Sequence, residues 1–265
     1  MVRGRPVIFR LIASDLDGTL LRSDGTVSAR TGAALSRAHA AGAEIVVVTA
    51  RAPWWIEELA PAASDVAICC NGAVIWDLRR QRPLETYPLP PAVARRIVTG
   101  LRERAPGVAF ACELGVGAIR EPAYLPLWPT PDVHPRRDAL EIVAEPVFKL
   151  VAQHPDLSQH ELHELTVELC GEEATATYSG ALLVEISAAG VTKAFALAAH
   201  CAERGIRPGE VVAFGDMPND VQLLRFAGLG VAVANAHPDV LAAADVVTAS
   251  NDEDGVALVL ERLLA

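Results

Sequence analysis

The feature that most constrains this chain is an alternation. Between residues 7 and 71, short apolar runs take turns with helix-forming stretches, and each apolar run stops at polar residues. Residues 7–13 read as a buried strand and end in the acidic loop 14–18. Residues 28–41 follow a helical pattern, with Leu35 and Ala38 on one face and Gly42 as the stop. Residues 44–48 form a second apolar strand, ending at Thr49-Ala50-Arg51. The spacing predicts a helix over 54–59, with Pro53 near its first turn, and a third strand over 66–70 that ends at Asn71-Gly72. Strand, helix, strand, helix, strand is the signature of a parallel sheet with crossover helices.

The pattern breaks in the middle. Residues 83–91 are proline-rich and suit a boundary. A helix over 92–104 follows, then strand-like pieces at 108–112, 116–120 and 147–152, with a proline-rich loop at 125–135 between the last two. Residues 157–169 read as a helix, and 174–179 and 182–187 as paired strands joined at Gly180-Ala181. From Gly190 the α/β alternation resumes: helices over 192–204, 219–227, 238–243 and 255–264, and strands over 211–214, 229–233 and 246–247. The expectation is an α/β fold, a Rossmann-like core with a parallel sheet flanked by helices and an α+β module inserted into it. Residues 1–84 and 187–265 would form the core, and 85–186 the insert.

Bulk properties narrow the function. The formal net charge of −10 argues against a broad electrostatic grip on nucleic acid. It leaves room for a small anionic substrate, because a metal ion and one lysine can reverse the field locally. Five cysteines, odd in number and without a C-x-x-C pair, fit reduced thiols acting as small hydrophobes. No run of 18 apolar residues occurs, so no membrane partner is expected, and the reading is cytoplasmic. Nothing in the sequence sets an oligomeric state.

Ligands of open α/β sheets bind beyond the carboxyl ends of the strands. Four predicted strands deliver polar groups to that rim: Asp15 and Asp17, Thr49, Asn71, and Asp216. Three carboxylates brought together repel one another unless a cation joins them. Oxygen ligands of this kind suit Mg²⁺, which binds through a few carboxylates and substrate phosphate. The ion also shields an anionic nucleophile from an anionic substrate, so that a carboxylate can form an acyl phosphate. A second aspartate two residues on could protonate the leaving oxygen and later take a proton from water. Thr49 offers a hydroxyl to phosphate, and Lys193 a point charge at the start of a helix. Each residue alone has a blander reading as a cap, a loop or a surface group; their order and their placement at strand ends lift the functional one.

These segments resemble the haloacid dehalogenase superfamily over nearly the whole chain. Asp15-Leu16-Asp17-Gly18-Thr19-Leu20 is similar to its first motif, Val47-Val48-Thr49-Ala50-Arg51 to its second, Lys193 to its third, and Gly215-Asp216-Met217-Pro218-Asn219-Asp220 to its fourth. Asn71-Gly72-Ala73, residues 228–236 and residues 244–248 resemble the Cof-type branch (subclass IIB), whose inserted C2B cap occupies the place of the α+β insert. The resemblance implies Asp15 as nucleophile and Asp17 as general acid/base. It also implies Mg²⁺ held by Asp15, the Asp17 carbonyl and Asp216. Thr49, Lys193, Asn219 and Asn71 would bind phosphate, with Asp220 behind the metal. Thr192-Lys193 stands where relatives often have Asp-Lys or Ser-Lys.

The expected activity is therefore a magnesium-dependent phosphatase of small phosphorylated metabolites, sugar phosphates favoured. A phosphomutase or phosphotransferase using the same intermediate is the alternative among enzymes. A non-catalytic metabolite-binding protein is the alternative outside them. Arg120, Tyr124, Trp128, His134, Arg136 and Lys149 of the insert are candidates for touching a leaving group and are left outside the expected site. His160-Glu161-Leu162-His163-Glu164 has its histidines three apart and misses the zinc motif H-E-x-x-H.

Overall fold

The computed structural model describes residues 9–56, 59–115, 117–127, 135–180 and 182–265. In chain order, β1 (Leu11–Ser14), β2 (Glu44–Val48), β3 (Val66–Cys69), β4 (Val74–Asp77) and β5 (Arg82–Thr86) begin one sheet. Next, β6 (Ala109–Glu113), β7 (Ala118–Arg120), β8 (Lys149–Gln153), β9 (Ala174–Thr177) and β10 (Val184–Ala188) make a second. The chain then returns to the first sheet through β11 (Val211–Gly215), β12 (Leu229–Ala232) and β13 (Val246–Val247). The larger sheet has the order β13-β12-β11-β1-β2-β3-β4-β5, and the smaller one β7-β6-β8-β10-β9.

Strands β13 to β3 of the larger sheet are parallel, as the alternation demands. At one edge the sheet is continued by two strands the sequence does not reveal, β4 and β5, which run antiparallel. Residues 74–77 follow β3 so closely that only a hairpin return is possible, since a parallel crossover needs a dozen or more residues. Pro83 masked β5 in the sequence. Proline lacks the N–H that a central strand must donate, but an edge strand tolerates it, and here the register shifts at Ile75/Trp76 beside it. β5 carries the larger sheet to Thr86 and β10 carries the smaller one to Ala188, each two residues past the borders expected at 84 and 186.

Helices α1 (Ala29–Ala40), α2 (Pro91–Arg104), α3 (Ala139–Ile142), α4 (Gln159–Cys170), α5 (Lys193–Glu203), α6 (Val221–Phe226), α7 (Pro238–Ala243) and α8 (Gly255–Leu263) cover these sheets. The expected helix over 54–59 is a single 3₁₀ turn, Pro53–Trp55; residues 57–58 lie outside the described ones, as do residues 7 and 8 of the first expected strand. Alternation along each strand divides the core into layers. On β1, Ile12 joins Leu35 of α1 and Leu260 of α8, while Leu11 and Ala13 join Leu197 of α5 and Leu223 of α6. In the smaller sheet, Phe110, Cys112, Leu150 and Ala152 pack on Ile97 and Leu101 of α2 and Leu162 of α4. The opposite face carries Ala109, Ala111 and Val151, joined by Tyr124 and Leu183. All five cysteines are free and buried. No described helix is long and apolar enough to cross a membrane.

Candidate active site

The site begins where β1 ends. Asp15 follows the strand in extended backbone, and the chain then turns over residues 16–20 with Gly18 at φ +76°. Thr19, inside that turn, donates its hydroxyl to Asp216 Oδ1 at 2.8 Å, tying the end of β1 to the end of β11. A β-carbon added at Gly18 would lie 2.4 Å from Asp216 Oδ2. We therefore expect Gly18→Ala to push the Asp216 carboxylate aside and to lower kcat by about 100-fold or more, the scale on which misplaced groups cost rate; steady-state assays of folded protein read this out.

Lys193 opens α5, whose N-cap Thr192 accepts from the Phe195 N–H at 3.1 Å. A β-carbon at Gly72, where φ is +105°, would meet the Thr192 carbonyl at 2.2 Å, so the turn after β3 rests directly against this helix start. The Lys193 ammonium is buried and donates to Asp15 Oδ1 at 2.6 Å and to Asp220 Oδ1 at 2.7 Å. Asp220 turns its other oxygen to the N–H groups of Asp216 and Met217, both at 3.1 Å. Asp220 thus holds the lysine with one oxygen and the β11 turn with the other.

Asp15, Asp216 and Asp220 are buried, with ligand oxygens within 4.8 Å of one another. One lysine against three carboxylates leaves an excess of negative charge. Burial pushes the Asp15 carboxyl well above the ordinary range despite Lys193, and burial with the added repulsion of the Asp220 charge pushes the Asp216 carboxyl up to about 7. A buried all-oxygen set that resists carrying its own charge fits a hard divalent cation such as Mg²⁺.

The other expected residues are distributed around this cluster. Thr49 is fully buried, and its hydroxyl oxygen accepts from the Arg51 N–H at 3.1 Å. Asp17 sits at the rim, half exposed, with both oxygens gripped by Arg51, at 2.7 Å from Nε and 2.6 Å from the second nitrogen. Arg51 in turn lies 4.3 Å over the Trp55 ring. Asn71, in the left-handed conformation at φ 56°, donates to Glu185 Oε2 at 3.1 Å and accepts from Asn219 at 3.1 Å. The Asn219 Oδ1 is buried and has no hydrogen-bond partner among the described residues.

Three groups that the sequence reading left out complete the site from the smaller sheet. Lys149 donates to Glu185 Oε1 at 2.5 Å and to the Ala50 carbonyl of the larger sheet's rim at 2.7 Å. Trp54 donates to Glu113 at 3.3 Å. Their signal was a single charge in each of three strands made mostly of apolar residues: Glu113 at the end of β6, Lys149 at the start of β8 and Glu185 in β10. A cavity of about 110 Å³ separates this face from Asp15 and Lys193. Arg120 and Tyr124 line it, Arg136 does not, and Trp128 and His134 lie outside the described residues. His160 is an exposed partner of Glu164.

A parallel α/β sheet with a buried lysine among aspartates at its strand ends, closed over by a second sheet, defines a capped hydrolase of phosphoric monoesters. The chain belongs to the haloacid dehalogenase-like hydrolases, which it matches over residues 12–260. It is 32% identical to the pyridoxal phosphate phosphatase YbhA of Escherichia coli, over 94% of this chain and 96% of that protein. It is 30% identical to the 5-amino-6-(5-phospho-D-ribitylamino)uracil phosphatase YcsE of Bacillus subtilis, over 97% of this chain and 96% of that protein. Among solved structures, BT1666 of Bacteroides thetaiotaomicron, from a study of HAD-superfamily phosphatases, superimposes with a TM-score of 0.84 at 28% identity, covering 99% of this chain and 97% of that one.

Proposed function

We propose that this phosphatase uses Mg²⁺ and a covalent aspartyl phosphate at Asp15 to hydrolyse small phosphorylated metabolites. The observation that carries this reading is the buried contact of Lys193 with Asp15 and Asp220. It holds one carboxylate oxygen of Asp15 in place at the floor of the cavity and supplies the positive charge an incoming phosphate needs.

In this mechanism Asp15 attacks phosphorus, the bond to the leaving oxygen breaks, and Asp17 gives that oxygen a proton. Water then attacks the phosphorus of the aspartyl phosphate, Asp17 takes the proton, and Asp15 is regenerated with release of phosphate. Asp17 must part from Arg51 to do this, because both of its oxygens are engaged there. Thr49, Lys193 and Asn219 bind the phosphoryl oxygens; Asn71 joins Asn219 to Glu185. Asp15, the Asp17 carbonyl and Asp216 would hold Mg²⁺, with Asp220 behind them; so held, it would supply charge neutralisation to the transferring group. Residues from about 87 to 188 act as a cap that closes over the leaving group. Sugar phosphates remain one substrate class. The relatives above are named for a pyridoxal phosphate and a ribitylaminouracil phosphate, which brings nitrogen heterocycles into view as another.

A chelator is expected to abolish turnover and Mg²⁺ to restore it; turnover indifferent to chelation would remove the metal from this account. Stability carries a second signature. Asp216 is raised from its ordinary value of 3.8 to about 7, so in the folded metal-free protein this group keeps a proton that it has released in the unfolded chain. Stability should then fall as pH rises from about 5 to about 7, above the range in which the ion-paired carboxylates elsewhere titrate and where this carboxylate is forced to ionise. Saturating Mg²⁺ should raise the midpoint of thermal unfolding most at the upper end of that window. A metal-free midpoint that climbs over the same interval would contradict this. Steady release of phosphate from simple esters without a bisphosphate activator separates the phosphatase from a mutase.

A further inference from the structure

We propose that the chamber above Asp15 takes a flat nitrogen heterocycle as the leaving alcohol, and that Glu113 is the residue that selects it. The assignment rests on the phosphatase reading above and adds the substrate class and a specificity-determining side chain.

The chamber's roof is a β-sheet face, and its chemistry follows from strand alternation. On β6, Phe110 and Cys112 point into the helix-covered core, so Ala111 and Glu113 point to the chamber. On β8, Leu150 points away, and Lys149 and Val151 face the chamber. Pairing sets Glu113 opposite Lys149 and Ala111 opposite Val151. The roof therefore has a charged row nearest the catalytic aspartates and, behind it, the small apolar side chains of Ala111 and Val151, extended by Leu183 and the Tyr124 ring, with the buried Arg120 beside Ala111 on the neighbouring strand. Trp55 lines the chamber as well. Small side chains on a pleated sheet, with aromatic rings at the margin, leave a slot for a planar group.

The polar groups in this row are unequally committed. Lys149 and Glu185 satisfy each other and reach across to Ala50 and Asn71. Glu113 has one oxygen on Trp54 and, among the described residues, no hydrogen-bond partner for the other. Burial pushes its carboxyl pKa up, opposed by the Lys149 charge, so a donor from the ligand is favoured there. A protonated ring nitrogen or a ring amine supplies one such hydrogen while its ring lies against Ala111 and Val151. A polyol fits less well than a ring: beside Arg120 and Ser179 the chamber offers the Ala111, Val151 and Leu183 side chains, and a hydroxyl that meets those would lose its partners in water and gain none.

The test compares kcat/KM for pyridoxal phosphate, a hexose phosphate and acetyl phosphate in the wild type, Glu113→Gln and Glu113→Ala. The wild type is expected to prefer pyridoxal phosphate over the hexose phosphate by about 10-fold or more, the range over which a paired polar group discriminates. Glu113→Ala should lower kcat/KM for pyridoxal phosphate at least about 10-fold more than for acetyl phosphate, mainly through KM. Glu113→Gln, which keeps an acceptor oxygen and the side-chain shape, should recover part of that loss. A wild type that prefers the hexose phosphate, or an alanine variant in which activity on all three substrates falls equally, overturns the assignment. A wild type that hydrolyses none of the three fails the phosphatase reading itself, and this assignment falls with it.

Discussion

Replacing Asp15 by asparagine is expected to lower kcat by on the order of 10⁴-fold or more while leaving the fold intact, because the amide cannot form the acyl phosphate. Two features separate this outcome from unfolding. Asparagine matches aspartate in shape, and its amide oxygen can still accept from the Lys193 ammonium, which approaches Oδ1 at 2.6 Å. The substitution also removes one of three buried carboxylates whose charges oppose each other. The metal-free variant should consequently unfold at the same temperature as the wild type or higher. A folded variant that kept near-normal turnover would remove Asp15 from the role of nucleophile.

Lys193→Met is expected to damage both stability and turnover. The methionine fills much of the same volume, so the change isolates charge. It leaves Asp15 and Asp220 facing each other in a buried site with their shared cation gone. Breaking a buried ion pair from one side costs about 3–5 kcal/mol, since the partner is stranded without compensation. That exceeds the ~0–1 kcal/mol typical of surface pairs such as Arg30–Glu261, which is part-exposed on both sides. Turnover should fall about 10²- to 10³-fold or more, the scale of losing one fixed donor to a developing charge. Mg²⁺ should recover part of the stability, because it meets the same carboxylates, and little of the rate. Chemical denaturation with and without Mg²⁺ checks the first part; a loss below about 1 kcal/mol would place Lys193 among ordinary surface pairs.

The contrast between core and cap shows what a sequence displays. The core was legible because parallel strands are buried on both faces and read as continuous apolar runs, each ending at a rim. Asp15 and Asp216 could be placed on one rim from that alone and Lys193 at the start of the following helix, and the three do meet. The hairpin of β4 and β5 was not legible, because Pro83 and Pro88 suggest a boundary and edge strands obey weaker rules. The cap was harder for a different reason. Its site face is set by which of two alternating residue sets looks inward, and a one-residue ambiguity in strand start reverses that choice. Glu113 and Glu185 look like ordinary surface charges until Phe110, Cys112, Val184 and Ile186 are known to fill the core. Arg51 was quoted as part of a motif, but its grip on Asp17 depends on two loops meeting, which spacing along the chain does not encode.

Lys149 and Lys193 are the chain's only lysines, and both are buried against carboxylates at this site. Every other basic side chain except histidine is arginine. A compact ammonium on a flexible stem fits a three-way buried contact where a planar guanidinium does not. The two lysines mark the two halves of the site: one beneath the phosphoryl group, the other joining the cap to the rim at Ala50.

The most direct test of the central claim is to trap the intermediate. Asp17→Asn should slow breakdown of the aspartyl phosphate by removing the base that activates water. Acid quenching during turnover, followed by borohydride reduction, converts an aspartyl phosphate to homoserine, and peptide mass spectrometry locates the change. Homoserine is expected at position 15, dependent on substrate and Mg²⁺ and missing in Asp15→Asn. An unmodified Asp15 in enzyme that is turning over substrate, or homoserine at another aspartate, would contradict it.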